Sequence, residues 1–332
     1  MRFWLRSALL GFMFLGFGEV KADSVGDRDS LWAAKLAFIQ NPKPEPIIQE
    51  KLPFASEIPS TTQQKKSENK LEPPFSYWRF SAVGGLASSS MGGSYIFLQN
   101  IWWKEESKGF HLDDGFDLIY ARNLDKLGHF YGGNLSADVF FHCLRWAGLS
   151  ESKSDLYGGI YGTLVQVGIE LKDGYAPAWG FSLWDVGAGS MGSFFPLLKR
   201  KVPFFANIDL KLSYYYRKDK YWEDSKTQAW IEDYSNQTYW FSCKVNNMLP
   251  MSLEPYWPDI LAVAIGFSVD ENTDYTGNGK LETYLALDYD VTKLFPTQDP
   301  FWNKVKHYLN YIKFPSPAMR IAPDRAWFGL YF

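Results

Sequence analysis

The sequence predicts an α+β fold: a cluster of small-residue helices packed with an antiparallel β-sheet or partial barrel. Three observations lead there. Across residues 124–197, glycine, serine and ionisable residues recur at three- and four-residue spacings, the period of a helix face. After Pro203 apolar residues alternate instead, the period of a strand. Aromatic residues make up 18% of the chain. That exceeds what a soluble core needs and suits a β-rich envelope protein, a membrane-interface belt or a carbohydrate-contacting surface.

In chain order, residues 1–22 read as a signal peptide. MRFWLR is a positive start, SALLGFMFLGFG an apolar run, and Val20-Lys21-Ala22 a cleavage site before Asp23. The run is shorter than the roughly 20 residues that span a bilayer. No cysteine lies near the cut, so the expectation is an exported, non-lipidated protein of the periplasm or outer membrane. Residues 23–40 hold a short amphipathic helix, capped at Asp29 or Ser30. Residues 41–74, rich in Pro, Lys, Glu, Gln and Ser, form a disordered linker. Residues 75–332 form one domain, and its Gly-, Ala- and Ser-rich opening from Phe75 to Trp103 reads as a core helix.

Three helices follow. Asp125, His129, Gly132, Gly133 and Ser136 share one face of the first. Gly158, Gly162, Gln166 and Glu170 repeat every four residues on the second, from about Asp155 to Leu171. The third starts at Ser182, with Asp185 in the reciprocal capping-box position and Gly189 and Gly192 on the same face. Packing these stripes together brings the backbones close and forces the charges to pair or to hold water.

Residues 204–332 are β-rich. Ile208 to Tyr216 and Tyr239 to Val245 alternate, Ile260 to Val269 reads as a fully buried strand, Leu281 to Val291 alternates, and AWFGLYF closes on Phe332. DENTDYTGNGK is a hairpin loop, since Tyr275 stands where a calcium loop needs glycine. Cys143 and Cys243 match no metal or redox motif and read as small core residues.

The candidate site is His129, Glu170, Asp173, Asp185 and Asp125. One imidazole among carboxylates suits a general base, a divalent cation or an activated water. The same residues also suit a structural polar network, in which Asp125 pairs with Lys126 or orients His129. Glu170 in the last turn of a helix closed by Gly174 is unfavourable against the dipole, which argues for a purpose. His111, His142 and His307 are scattered in sequence, and no nucleophile elbow, phosphate loop or cofactor motif occurs. A net charge of -3 without a basic stripe argues against nucleic acid as a partner.

Asp125-Lys126-x-x-His129-Phe130, Glu170-x-x-Asp173-Gly174 and Trp179-Gly180-Phe181-Ser182-x-x-Asp185 resemble the YfiM-like family of bacterial envelope proteins, many of them predicted lipoproteins. DYSNQTYWFS, LALDYDVTKL and LNYIKFPSPA resemble its longer, Bacteroidetes-type form, so residues 75–332 are expected to be a YfiM-like domain. The Asp-Lys-x-x-His-Phe helix is also similar to VanZ-like membrane proteins, in which a polar residue stands where this chain has Gly189. The resemblance implies location and fold and carries no activity. The expected function is a structural or assembly role at the outer membrane, with envelope components as partners and no cofactor. The alternative is an envelope hydrolase or lipid-modifying enzyme using His129 with Glu170, Asp173 and Asp185.

Overall fold

The computed structural model describes residues 74–215, 230–250, 252–271 and 275–331. The signal peptide, the 23–40 helix and all of the linker except Pro74 lie outside the described residues, as do Tyr216 and Phe332.

Helix α1 (Tyr77–Gln99) forms where the small-residue run predicts a helix, but it is no core helix. Only Val83 and Leu98 are buried along it, and Tyr77 is 82% exposed. Its glycines explain the difference. Gly84, Gly85, Gly92 and Gly93 all face open space, so the small residues are not used for close approach. The helix is held at its ends instead. Val83 joins Leu144, Ala147 and Leu149, while Leu98 joins Trp103 and Ala176.

The next three helices, α2 (Leu124–Trp146), α3 (Glu151–Asp173) and α4 (Leu183–Lys201), pack through their glycine stripes as expected. A Cβ on Gly133 would stand 2.2 Å from the Gly189 carbonyl oxygen, and one on Gly192 only 2.0 Å from that of Phe130. Backbone therefore meets backbone between α2 and α4. Helix α3 starts a turn earlier than its apolar period suggests, because its first turn, ESKS, is polar.

All six strands pair antiparallel in sequence order: β1 (Ile208–Tyr214), β2 (Gln237–Cys243), β3 (Leu261–Asp270), β4 (Lys280–Tyr289), β5 (Ser316–Ala322) and β6 (Ala326–Tyr331). The register sets Leu210 opposite Phe241 and Ile265 opposite Leu285. Strands β3 and β4 pair up to Asp270 and Lys280, the ends of the expected DENTDYTGNGK hairpin loop, whose residues 272–274 lie outside the described residues, and Gly277 has φ 81° in the left-handed region. Strand β3 is not fully buried: it alternates, and Ile265 is 46% exposed. Two of the longer elements went unforeseen. In β5, Pro317 and Arg320 mask the alternation, and α5 (Pro300–Leu309) is a short helix capped by Asp299, whose carboxylate accepts the Phe301 N–H at 2.8 Å. Cys143 and Cys243 are both free.

The sheet is open but strongly curled. Tyr331 on β6 lies 4.5 Å, ring to ring, from Tyr284 on β4 and 5.9 Å from Trp240 on β2. Around these rings sit Ala264, Ala286, Ala318 and an ion pair of Lys211 with Asp288 at 2.8 Å. The free edge of β1 is covered, since Leu212 donates to the Tyr311 carbonyl and accepts from the Lys313 N–H. On the opposite face Leu212, Tyr239 and Phe267 pack against Leu124, Leu127 and Tyr131 of α2. The helices thus lie against the outside of the sheet and do not plug a barrel.

Candidate functional site

Three consecutive non-glycine residues, Ala121, Arg122 and Asn123, adopt left-handed backbone with φ of 45°, 53° and 64° just before α2. Such residues cost on the order of 1–3 kcal/mol each and persist where their surroundings hold them. Here Asn123 donates to the Leu118 carbonyl at 2.9 Å, and Arg122 to the Gly277 carbonyl at 3.2 Å. This corner delivers Asp125, Lys126 and His129 to the first turns of α2.

All five expected residues come together. The His129 Nε2 atom lies 3.5 Å from Glu170 Oε1 and 3.9 Å from Asp185 Oδ2. Lys126 is ion-paired with Asp125 at 2.9 Å, with Asp185 at 3.1 Å, and with Asp117. Asp173 accepts the Trp103 indole N–H at 2.6 Å. Ser182 caps α4 as expected, its hydroxyl accepting the Asp185 N–H at 3.1 Å. The reciprocal half of the capping box does not form. The Ser182 N–H donates to Glu170 Oε2 at 3.1 Å, so the Asp185 side chain is released toward Lys126 and His129.

Two participants were not foreseen. Asp117 comes from the loop before α2, and nothing in its sequence spacing links it to the helices. Gln166 was visible on the Glu170 stripe but had no assigned role. Its Oε1 accepts from His129 Nδ1 at 2.9 Å, and its side chain fills the space over Gly189, so that α3 supplies an amide where α4 has none.

Burial raises most of these carboxyls. Burial, with Asp173 and Asp185 nearby, pushes Glu170 up to about 9, and burial pushes Asp173 up to about 7. Burial also lifts Asp125 well above the usual range despite Lys126, and lifts Asp185 against the pull of His129 and Lys126. Burial works on Asp117 too, but hydrogen bonds with Lys126, Ser182 and Asp185 outweigh it and draw the group down. The cluster faces a cavity of about 420 Å³, walled by Trp102, Phe116, Tyr120, Trp179 and Tyr234 and also lined by His111.

The other histidines are not scattered in space. His307 Nε2 lies 2.6 Å from Asp138, His142 3.9 Å from it, and Arg200 3.5 Å. Burial would raise the Asp138 carboxyl, but His307, His142 and Arg200 hold it well below its usual range. A depressed carboxylate adds stability that is complete above its unfolded value of 3.8 and is lost as pH falls below it. Asp138→Asn is therefore expected to cost about 3–5 kcal/mol at pH 7. Thermal melts at pH 7 and pH 3 are expected to show the gap to wild type closing with acid.

Residues 106–201 match the family model described as Predicted periplasmic lipoprotein (DUF2279). The match covers less than a third of the chain, and within it lie α2, α3, α4 and every residue of the His129 cluster. It supports a periplasmic or envelope location. No curated protein and no solved structure matches the chain. Among the described residues no helix is long and apolar enough to cross a membrane.

Proposed function

We propose that the chain is an envelope hydrolase acting on a water held between His129 and Glu170. One observation carries the reading. His129 Nδ1 faces the Gln166 amide oxygen, an acceptor, so the ring proton belongs on Nδ1 and Nε2 carries the lone pair. Nε2 lies 3.5 Å from Glu170 Oε1, beside the open cavity. A water that donates a hydrogen bond to Nε2 and accepts one from the protonated Glu170 keeps a lone pair for a substrate, and His129 takes its proton during attack. Charge balance speaks against a purely structural network. Lys126 is ion-paired with Asp117, Asp125 and Asp185, while among the described residues Glu170 is hydrogen-bonded only by the uncharged Ser182 N–H. Folding alone does not favour such an excess of buried acid, whereas active sites commonly retain it.

The exposed apolar residues of β3 to β6 support attachment to the outer membrane, with envelope lipid as the partner. Among them are Ile265, Leu285, Leu287, Ile321, Trp327 and Leu330, and Trp327 is 71% exposed. Patches of that kind mark interaction surfaces. Attachment through side chains needs no lipid anchor, and both cysteines, Cys143 and Cys243, lie within the folded part. The YfiM-like resemblance fits this location, and the VanZ-like one fits the His129 helix.

Turnover of p-nitrophenyl esters and of phospholipid vesicles by the purified chain tests the enzyme reading. His129→Ala is expected to lower the rate by about 10²–10⁴-fold with the melting temperature little changed. Absence of wild-type turnover on both substrate classes, with a large loss of stability in the variant, would return the cluster to a structural role.

A further inference from the structure

We propose that His129 Nε2, Glu170 Oε1 and Asp185 Oδ2 are three ligands of a divalent transition-metal ion. The proposal deepens the hydrolytic reading, since such an ion activates water directly, but the site stands or falls by binding alone.

The geometry is that of a ligand set before the ion enters. Two atoms each about 2.1 Å from a metal stand roughly 3.0–3.4 Å apart at octahedral to tetrahedral angles. The imidazole nitrogen is 3.5 Å from one carboxylate oxygen and 3.9 Å from the other, and all three atoms lie within 4.8 Å of one another. Small side-chain movements close that gap. Glu170 is 2% exposed, and among the described residues its one hydrogen bond is that accepted by Oε2 from Ser182.

Each ligand already has the outer partner that a metal site requires. Gln166 fixes the tautomer and plane of His129, the Ser182 N–H holds Glu170 Oε2, and Lys126 holds Asp185 Oδ1 at 3.1 Å. A second observation is an unsatisfied buried oxygen at the same cavity. Asp125 is 4% exposed and lines the cavity, and although its Oδ2 is ion-paired with Lys126, its Oδ1 accepts no hydrogen bond from any described residue. At the Asp138 cluster the need is met internally, because Arg200 stands 3.5 Å from the carboxylate. The two histidines there are therefore not proposed as ligands.

One nitrogen and two carboxylate oxygens suit zinc, manganese or iron(II) better than calcium, which takes oxygen ligands. The remaining coordination positions open on the cavity, where water and substrate enter. The closed, all-protein geometry of a structural zinc site is absent.

The test uses the purified full chain, stripped with a chelator and titrated with Zn²⁺ and Mn²⁺ by calorimetry and with Co²⁺ by visible absorption. One equivalent is expected to bind, with ligand-field bands for cobalt and a rise in melting temperature. His129→Ala, Glu170→Gln and Asp185→Asn are each expected to weaken binding at least 100-fold while the metal-free proteins still melt cooperatively. Gln166→Ala is expected to weaken it about 10–100-fold, as removal of an outer-shell partner does. No saturable binding by wild type, or binding unchanged in all three ligand variants, overturns the site. Turnover that survives chelation, in a chain that shows no saturable binding, overturns the metal and leaves the hydrolase. Tight binding without turnover does the reverse.

Discussion

Glu170→Gln is expected to stabilise the metal-free protein at pH 8, although it alters a buried polar cluster. Burial and the neighbouring carboxylates Asp173 and Asp185 push Glu170 up from 4.5 to about 9. Between those two values the folded chain binds a proton that the unfolded chain has released. Stability must then fall as pH rises through that window. The penalty is absent below pH 4.5, grows toward pH 9 and is constant beyond. Glutamine carries no charge to desolvate, its oxygen still accepts from the Ser182 N–H, and its amino group can donate to His129 Nε2. At pH 8 in a chelating buffer the gain is expected to be on the order of 2–4 kcal/mol, shrinking to little at pH 5. Thermal melts across that range check it. A variant less stable than wild type at both pH values would mean that Glu170 is a structural member of its cluster.

The second large effect is steric. Gly192→Ala places a methyl 2.0 Å from the Phe130 carbonyl oxygen. The obstacle is backbone of α2 and cannot rotate away, so α2 and α4 must separate along their closest seam. A loss of about 3–5 kcal/mol is expected, at the upper end for an overpacked core position. Gly187→Ala on the same helix is the control. Nothing lies within 4 Å of its added methyl, so it is expected to gain about 0.5–1 kcal/mol from reduced backbone freedom in the unfolded chain. Opposite signs in denaturant melts would tie the cost to the helix seam and exclude general intolerance of alanine.

The contrast between these glycines marks what the sequence made legible. The stripe Gly158, Gly162, Gln166, Glu170 put the right residues on one face, because a helix has a fixed period. The same reasoning misjudged α1, whose glycines look alike in sequence but face open space. Whether a small residue is used depends on what stands opposite, and a partner helix is not written in local spacing. Asp117 stayed hidden for a related reason: it reaches Lys126 across a left-handed corner that no periodic signal marks. The capping box at Ser182 was half right. Its forward bond is local and formed, while its return bond lost to Glu170 on another helix. The strands were legible where alternation was clean and missed at β5, where Pro317 interrupts it.

Tyr331 stands at the far edge of a sheet that is otherwise assembled neighbour by neighbour. Yet its ring closes against Trp240 and Tyr284, and its hydroxyl meets Thr238 at 3.2 Å. Trimming β6 would therefore do more than bare one edge. It would uncover the indole and phenol of strands far earlier in the chain and let water reach the Lys211–Asp288 pair beneath them.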